Sequence, residues 1–230
     1  MSGGDSILYW GSGSGPCIRA MIALNEKGFG DIPNKCLSFQ NKEHKSEEVL
    51  KLNPRGQLPT LKLDGVVINE SGAICEYLEI QYKGKGTKLI PDDKKACAEV
   101  LQRKAEMEAN FKPQPLFQLY FRASPEEKKN KIEIPTFKEK IDDMRTELNR
   151  WEEYLKKNGP GSYVVGKEFT MADIFLISTL MAFVRFGLDI NKFPSLKEYY
   201  ERVQKRESVQ KAWPPHWKSD PPTMIILNDI

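Results

Sequence analysis

Cysteine is sparse in this chain. Four of 230 residues are cysteine, and none of them stands in a CxxC or similar spacing. Cys17, Cys36, Cys75 and Cys97 therefore offer no metal-ligand motif, and thiols scattered in this way fit a reducing compartment, the cytoplasm. Long apolar runs are missing too. No stretch approaches the roughly 18 apolar residues a membrane span needs, and the moderately apolar segment Phe175 to Phe186 reads as a buried helix. The first residues show no basic region leading into an apolar run and a small-residue cleavage site, so no secretory leader is expected. Charge of one sign is also lacking: 35 basic and 32 acidic side chains leave a net charge of +3. That balance gives no reason to expect nucleic acid or a membrane as partner. The basic clusters at 83–88 and 128–131 are mixed with glycines or other polar residues and read as solvated surface. The glycine-rich run Gly11 to Gly15 lacks the third glycine of GxGxxG, because Pro16 stands there, and it lacks the Lys-Ser/Thr of a phosphate-binding loop. Neither a nucleotide, a metal nor another cofactor is expected.

The length suffices for one large or two small domains with a real core. Residues 6–83 alternate in period. Ile7 to Trp10 reads as a strand, and Pro16 to Lys27 as a helix with proline in its first turn. Lys35 to Phe39 reads as a strand and Ser46 to Leu52 as a short helix. Thr60 to Leu63 and Val66 to Ile68 flank Asp64-Gly65, a hairpin signal. Ser71 to Tyr82 carries apolar residues at helical spacing. The stretch 84–92 reads as a linker, and 93–230 as an all-α domain with helices near 93–121, 136–157, 171–186, 195–204 and 207–213. Tyr163 to Val165 is too short and isolated to found a sheet. The tail from Trp213 to Ile230, rich in proline, is expected to lie irregularly over the surface. Thr170 and Asp173 read as a helix cap whose loss costs about 1–2 kcal/mol, with Phe169 and Ile174 as the accompanying apolar staple.

The densest chemistry lies in Asn53-Pro54-Arg55-Gly56-Gln57-Leu58-Pro59-Thr60-Leu61, followed by Glu70-Ser71. Pro59 cannot donate to a sheet ladder, so it belongs at a strand's first residue or in the turn before it. A cis Leu58-Pro59 bond leaves the N–H and C=O of Leu58 facing outward for an extended peptide. Glu70-Ser71 falls where a strand hands over to a helix, and a helix N-terminus with a hydroxyl suits a carboxylate. Backbone capture in the middle and carboxylate capture at one end describe a site for a short peptide.

These residues resemble the glutathione site of cytosolic glutathione transferases, carried on a thioredoxin-like domain. The run Trp10-Gly11-Ser12-Gly13-Ser14-Gly15-Pro16-Cys17-Ile18-Arg19 lies where those proteins turn from strand one into helix one. Phe169-Thr170-Met171-Ala172-Asp173 is similar to the capping motif of their C-terminal domain. The resemblance spans about residues 6–213. Together with Ser38-Phe39 and Glu43-His44-Lys45-Ser46, it is most similar to the rho class of fish and aquatic invertebrates. It implies an α/β thioredoxin-like domain at 1–83 followed by an all-helical domain, and a homodimer. It also implies that the thiolate of glutathione, a co-substrate, attacks hydrophobic electrophilic small molecules, as in detoxification.

A free thiol near pKa 8.5 is only about 3 % ionised at pH 7, and lowering its pKa by about two units requires about 2.7 kcal/mol of selective stabilisation. One hydrogen bond to the charged sulfur supplies roughly 1.5–3 kcal/mol, and a helix N-terminus about 0.3–1 kcal/mol. By resemblance Ser14 is the donor. Ser12 and Tyr9 stay open as alternatives, and so does a reactive Cys17 at the helix N-terminus. The resemblance places Gln57, Leu58 and Pro59 at the cysteinyl backbone of glutathione. It places Glu70 at the ammonium and Ser71 at the carboxylate of the γ-glutamyl end, and His44 and Lys45 at the glycine carboxylate. Most relatives carry Gln where Glu70 stands. The electrophile pocket is expected to involve Trp10 and Gly13 with Asn110, Phe111, Pro113, Gln114, Phe117 and Tyr120, roofed by Trp213 and Trp217. Two other readings compete with the enzyme: a glutathione- or hydrophobic-ligand-binding protein without turnover, and a structural module. The joint presence of Ser14, Leu58-Pro59 and Glu70-Ser71 favours the enzyme.

Overall fold

A short apolar strand opens the described chain. The computed structural model describes residues 5–111, 114–220 and 225–230. Strand β1 (Ile7–Trp10) leads into α1 (Gly15–Glu26), β2 (Asn34–Cys36), α2 (Glu47–Leu52), β3 (Thr60–Leu63), β4 (Val66–Asn69) and α3 (Ser71–Gln81). The strands form one sheet in the order β2-β1-β3-β4. β2 runs parallel to β1, while β1–β3 and β3–β4 are antiparallel. This is the thioredoxin-like arrangement. Helix α1 has proline in its first turn, buries Cys17, Ile18, Ala20, Ile22, Ala23 and Leu24, and packs on α3. Asp64 (φ 50°) and Gly65 (φ 83°) supply the two positive φ angles of a tight hairpin turn.

β2 is shorter than the apolar pattern predicts. It ends at Cys36, and the Ser38 N–H is taken by the Glu43 carboxylate at 2.7 Å, which turns the chain away from the sheet. A second departure concerns the first helix of the later domain. The single helix expected over 93–121 is two: α4 (Lys94–Ala109) and α5 (Gln114–Arg122). Proline at 113 and 115 removes backbone donors that a continuous helix requires. Pattern reading also missed α6 (Pro125–Lys129), although Ser124 and Glu127 form a complete capping box at its start.

With α7 (Pro135–Asn158), α8 (Met171–Arg185) and α9 (Pro194–Val203), these helices make an all-helical unit. Helix α8 is buried on nearly every face, since twelve of its fifteen residues are shielded. Around it lie Trp151, Leu155, Leu196 and Tyr199, all almost fully buried. The cap of α8 sits inside this core. The Asp173 carboxylate accepts from the Thr170 N–H (2.8 Å), the Thr170 hydroxyl (3.0 Å), the Val164 N–H (2.9 Å) and the Tyr199 hydroxyl (3.0 Å).

Two compact units result, and their boundaries cut across the chain order. One comprises the residues up to Ile90 with Gln204–Asp220, the other Pro91–Val203 with the final segment. The stretch expected as a linker is therefore largely packed into the first unit. Leu89 is fully buried, and the Thr87 N–H donates to the Glu26 carbonyl at 2.8 Å. Helices α10 (Glu207–Lys211) and α11 (Pro215–Ser219) belong to the same unit. The tie is Glu26, buried at the end of α1. Its carboxylate takes a bidentate pair from Arg206 (2.6 and 2.8 Å) and hydrogen bonds from the Ser208 and Thr87 hydroxyls. Burial alone would raise the Glu26 pKa, but the Arg206, Ser208 and Thr87 donors outweigh it and hold the carboxyl below its ordinary value.

The tail is not an irregular surface strand throughout. Beyond α11, residues 221–224 lie outside the described residues, but Ile226, Leu227 and Ile230 are buried in the helical unit. The N–H groups of Ile226 and Leu227 both donate to the Phe186 carbonyl at 2.9 Å. Their apolar side chains gain more from burial than proline-rich composition suggests. Among the described residues no helix is long and apolar enough to cross a membrane.

Candidate active site

One rung of the sheet gathers the sequence motifs. Tyr9 pairs with Thr60, and Thr60 pairs with Asn69. Just beyond that rung the three strands release three segments at the same edge: Trp10 to Ser14, the residues Leu58 and Pro59 before β3, and Glu70-Ser71 opening α3. Trp10 pairs with Cys36, so the segment after β2, carrying His44 and Lys45, leaves at this end as well. A Cβ built on Gly56 would lie 2.8 Å from Lys45 Cδ and 3.0 Å from the His44 carbonyl, which sets those two residues beside Gln57.

The Leu58-Pro59 bond is cis. Among the described residues no hydrogen bond engages the N–H or C=O of Leu58. The Gln57 carbonyl is held from below by Asn53 Nδ2 (2.9 Å) and Thr60 Oγ1 (3.0 Å). Asn53 is the first residue of the motif. Its buried amide also accepts the Arg55 N–H, at 3.2 Å, and so shapes the whole turn. Ser71 opens α3 and is nearly buried, and its Oγ accepts from Arg19 Nη1 at 3.1 Å. Arg19 is thus a cation beside the N-terminus of α3 that pattern reading passed over. Its only signal is that it is the one basic residue within α1. Glu70 is exposed, with a positive φ of 70° that turns the chain from β4 into α3. Lys45 Nζ donates to the Arg55 carbonyl at 2.8 Å, and His44 Nδ1 is buried without a hydrogen-bond partner among the described residues.

The three candidate donors to the thiol and the candidate reactive thiol, Cys17, have different surroundings. Ser14 is the N-cap residue of α1 but makes no capping bond with its side chain. Gly13 before it adopts φ +81°, a conformation that favours glycine. Gly11 has the Phe39 ring where a Cβ would stand, 2.2 Å away. Ser12 Oγ lies 2.9 Å from His216 Nδ1, a partner brought in by α11. Tyr9 points into the cluster of Cys17, Leu37, Val49 and Leu58, and its hydroxyl donates to Glu48 at 2.7 Å. Burial, reinforced by Glu48, raises the Tyr9 pKa to about 12. Cys17 is fully buried. Desolvation pushes its thiol up to about 11, against the Ser14 hydroxyl and the Gly11 N–H, which pull it down. A neutral buried thiol is a poor nucleophile.

The residues expected at the electrophile pocket divide between the units. Trp10 donates through its indole N–H to Asn34 at 3.0 Å and packs against the cluster around Tyr9 and Cys17, and Gly13 directly precedes Ser14, all in the first unit. In the helical unit Asn110 is exposed at the end of α4. Phe117 is half-buried against Phe186, their ring centres 4.8 Å apart, and Tyr120 is half-buried beside Phe121. Phe111 is a core residue. Its ring meets Phe183 edge-on at 5.1 Å and stacks near Trp151 at 6.3 Å, so it is committed to packing. Pro113 and the side chain of Gln114 lie outside the described residues.

The family model described as glutathione S-transferase, N-terminal domain, matches residues 14–81, and that for the C-terminal domain matches 113–213. Glutathione S-transferase A of the flatfish Pleuronectes platessa is 41 % identical over 226 residues, covering 98 % of this chain and 99 % of that protein. The chain belongs to the glutathione S-transferase family. The transferase is also similar to the crystal structure of a glutathione S-transferase from the Antarctic clam Laternula elliptica. That match has a TM-score of 0.83 and 39 % identity over 97 % of this chain and 98 % of that one. A delta-class glutathione transferase of Nilaparvata lugens matches with a TM-score of 0.72 and 27 % identity, over 94 % of this chain and 92 % of that one.

Proposed function

We propose that this transferase binds glutathione as co-substrate, without a further cofactor, and activates its thiol through Ser14 for attack on hydrophobic electrophiles, as a Ser-type enzyme of the rho class. The observation that carries the reading is the Ser14 hydroxyl: it caps no helix N–H, and it stands at the end of the sheet where Leu58 and Ser71 also emerge. Leu58 offers its backbone to the cysteinyl unit. The N-terminus of α3, with Ser71 and Arg19 beside it, suits the γ-glutamyl carboxylate, and Glu70 the ammonium. Gln57, Pro59, His44 and Lys45 frame the remainder of the tripeptide. Trp10 and Gly13 face the electrophile beside the sulfur. Tyr9 and Cys17 act as packing groups, because each is buried and already hydrogen-bonded, Tyr9 to the Glu48 carboxylate and Cys17 to the Gly11 N–H.

The test follows the thiolate absorbance of bound glutathione across pH, with conjugation of a chloro-nitroaromatic alongside. Ser14→Ala is expected to keep glutathione binding, lose the acid shift of the thiol and lower kcat/KM roughly ten- to hundredfold, the worth of one hydrogen bond to a charged atom. Tyr9→Phe and Cys17→Ser are expected to keep both shift and turnover. Wild type that binds glutathione with no shift and no turnover overturns the reading. A homodimer in the cytoplasm completes the proposal. Sedimentation showing only monomer at micromolar concentration removes the first part, and cell fractionation decides the second. The free cysteines fit a reducing compartment.

A further inference from the structure

We infer that His216 is a positioning residue of the catalytic loop, and that α11 is the strap that holds this loop in place. The inference rests on the Ser14 reading above. The loop Gly11 to Ser14 has few fastenings of its own: the Ser14 N–H donates to the Gly11 carbonyl at a long 3.3 Å, and Gly13 stands at positive φ. Two glycines in four residues leave such a loop free to sample many conformations. The tail supplies what the loop lacks. His216 Nδ1 lies 2.9 Å from Ser12 Oγ. A Cβ built on Gly13 would lie 3.4 Å from His216 Cε1 and 3.4 Å from Trp217 Nε1, so both rings face the glycine across about the width of one methyl group.

The strap is itself anchored. Pro214 and Ala212 are buried, and within the strap the Trp217 backbone N–H donates to the Pro214 carbonyl at 2.9 Å. Upstream, Arg206 and Ser208 bind Glu26 at the far end of α1. The segment 204–220 therefore spans α1 from one end to the other, and it ends on the residue two before Ser14. Holding Ser12 fixes the direction in which the next turn presents the Ser14 hydroxyl. A misplaced hydroxyl loses rate because its hydrogen bond to sulfur is directional. The contact at Gly13 also makes the strap part of the wall next to the reacting sulfur.

The experiment compares His216→Ala and His216→Asn. Asparagine places a side-chain amide near the position of Nδ1 and serves as donor or acceptor to Ser12. Hydrogen–deuterium exchange of the Gly11 to Ser14 amides is read on the ligand-free protein. Steady-state kinetics with a chloro-nitroaromatic are read alongside. His216→Ala is expected to speed exchange in the loop and to lower kcat about three- to tenfold, one ordinary hydrogen bond. The KM for glutathione stays within about twofold. His216→Asn restores both readouts. Loop exchange that is unchanged in His216→Ala overturns the inference, and so does a kcat that asparagine fails to rescue. Exchange in the ligand-free protein reports on the contact whether or not Ser14 activates a thiol, so failure of the strap and failure of the Ser14 reading are distinguishable.

Discussion

Lys27→Met is expected to lower the unfolding free energy by about 3–5 kcal/mol, the typical loss when one partner of a buried ion pair is removed. Lys27 closes α1 with its side chain fully buried, and its ammonium lies 2.9 Å from Glu79 Oε2 on α3, itself only 6 % exposed. The ammonium also donates to the Thr87 carbonyl at 3.2 Å. Glu79 in turn accepts the N–H groups of Leu89 (3.1 Å) and Ile90 (3.4 Å). The pair therefore joins two helices and ties residues 87–90 to them. Without Lys27 the carboxylate stays buried with two amides and no cation. For a chain of this size the loss corresponds to a fall in Tm of roughly 6–20 °C. The double variant Lys27→Met, Glu79→Leu is expected to recover part of the loss, because no uncompensated charge remains. It does not recover all of it, since Leu89, Ile90 and Thr87 lose their partners. Urea unfolding of the three variants checks this. A single variant within about 1 kcal/mol of wild type would show that the pair does not form as described.

Asp173→Ala is expected to cost about 3 kcal/mol or more at pH 7, beyond the 1–2 kcal/mol of a lost helix cap. The reason is the company the carboxylate keeps. Asp173 is fully buried and serves four donors at once: the Thr170 N–H and hydroxyl, the Val164 N–H and the Tyr199 hydroxyl. Truncation removes the carboxylate from all four and leaves the Tyr199 hydroxyl only the Asp173 carbonyl at a long 3.4 Å. Burial raises the Asp173 pKa from 3.8 to about 6, against the pull of those four hydrogen bonds. The sign of the pH dependence follows. A folded pKa above the unfolded one means that the native state binds more protons between about pH 4 and pH 6, so this group favours folding at the acid end and loses that advantage as pH rises through the window. The difference in stability between wild type and Asp173→Ala is therefore expected to be larger at pH 4 than at pH 7. Chemical unfolding at both values checks it. A difference that grows towards pH 7 would contradict the assignment. Turnover measured below the unfolding transition is expected to survive, since this is folding chemistry.

What the sequence determined by itself was local. Pro16 opening a helix, Asp64-Gly65 closing a hairpin, Pro59 ahead of a strand and Thr170 with Asp173 capping α8 each act through neighbours within four residues, so the pattern carries the whole instruction. Helix α5 and its break from α4 were equally local, written in proline, and were overlooked rather than hidden. Other features arise only when distant segments meet in the folded chain. Leu58, Ser14 and Ser71 stand together because strand register sets their segments at one edge of the sheet. The Tyr9 hydroxyl finds its acceptor in Glu48, thirty-nine residues away. The return of residues 204–220 to α1 depends on Glu26 finding Arg206, and the contact of His216 with Ser12 spans 204 positions. Such contacts depend on loop closure and burial summed over the whole chain, and no short window of residues carries a signal for them.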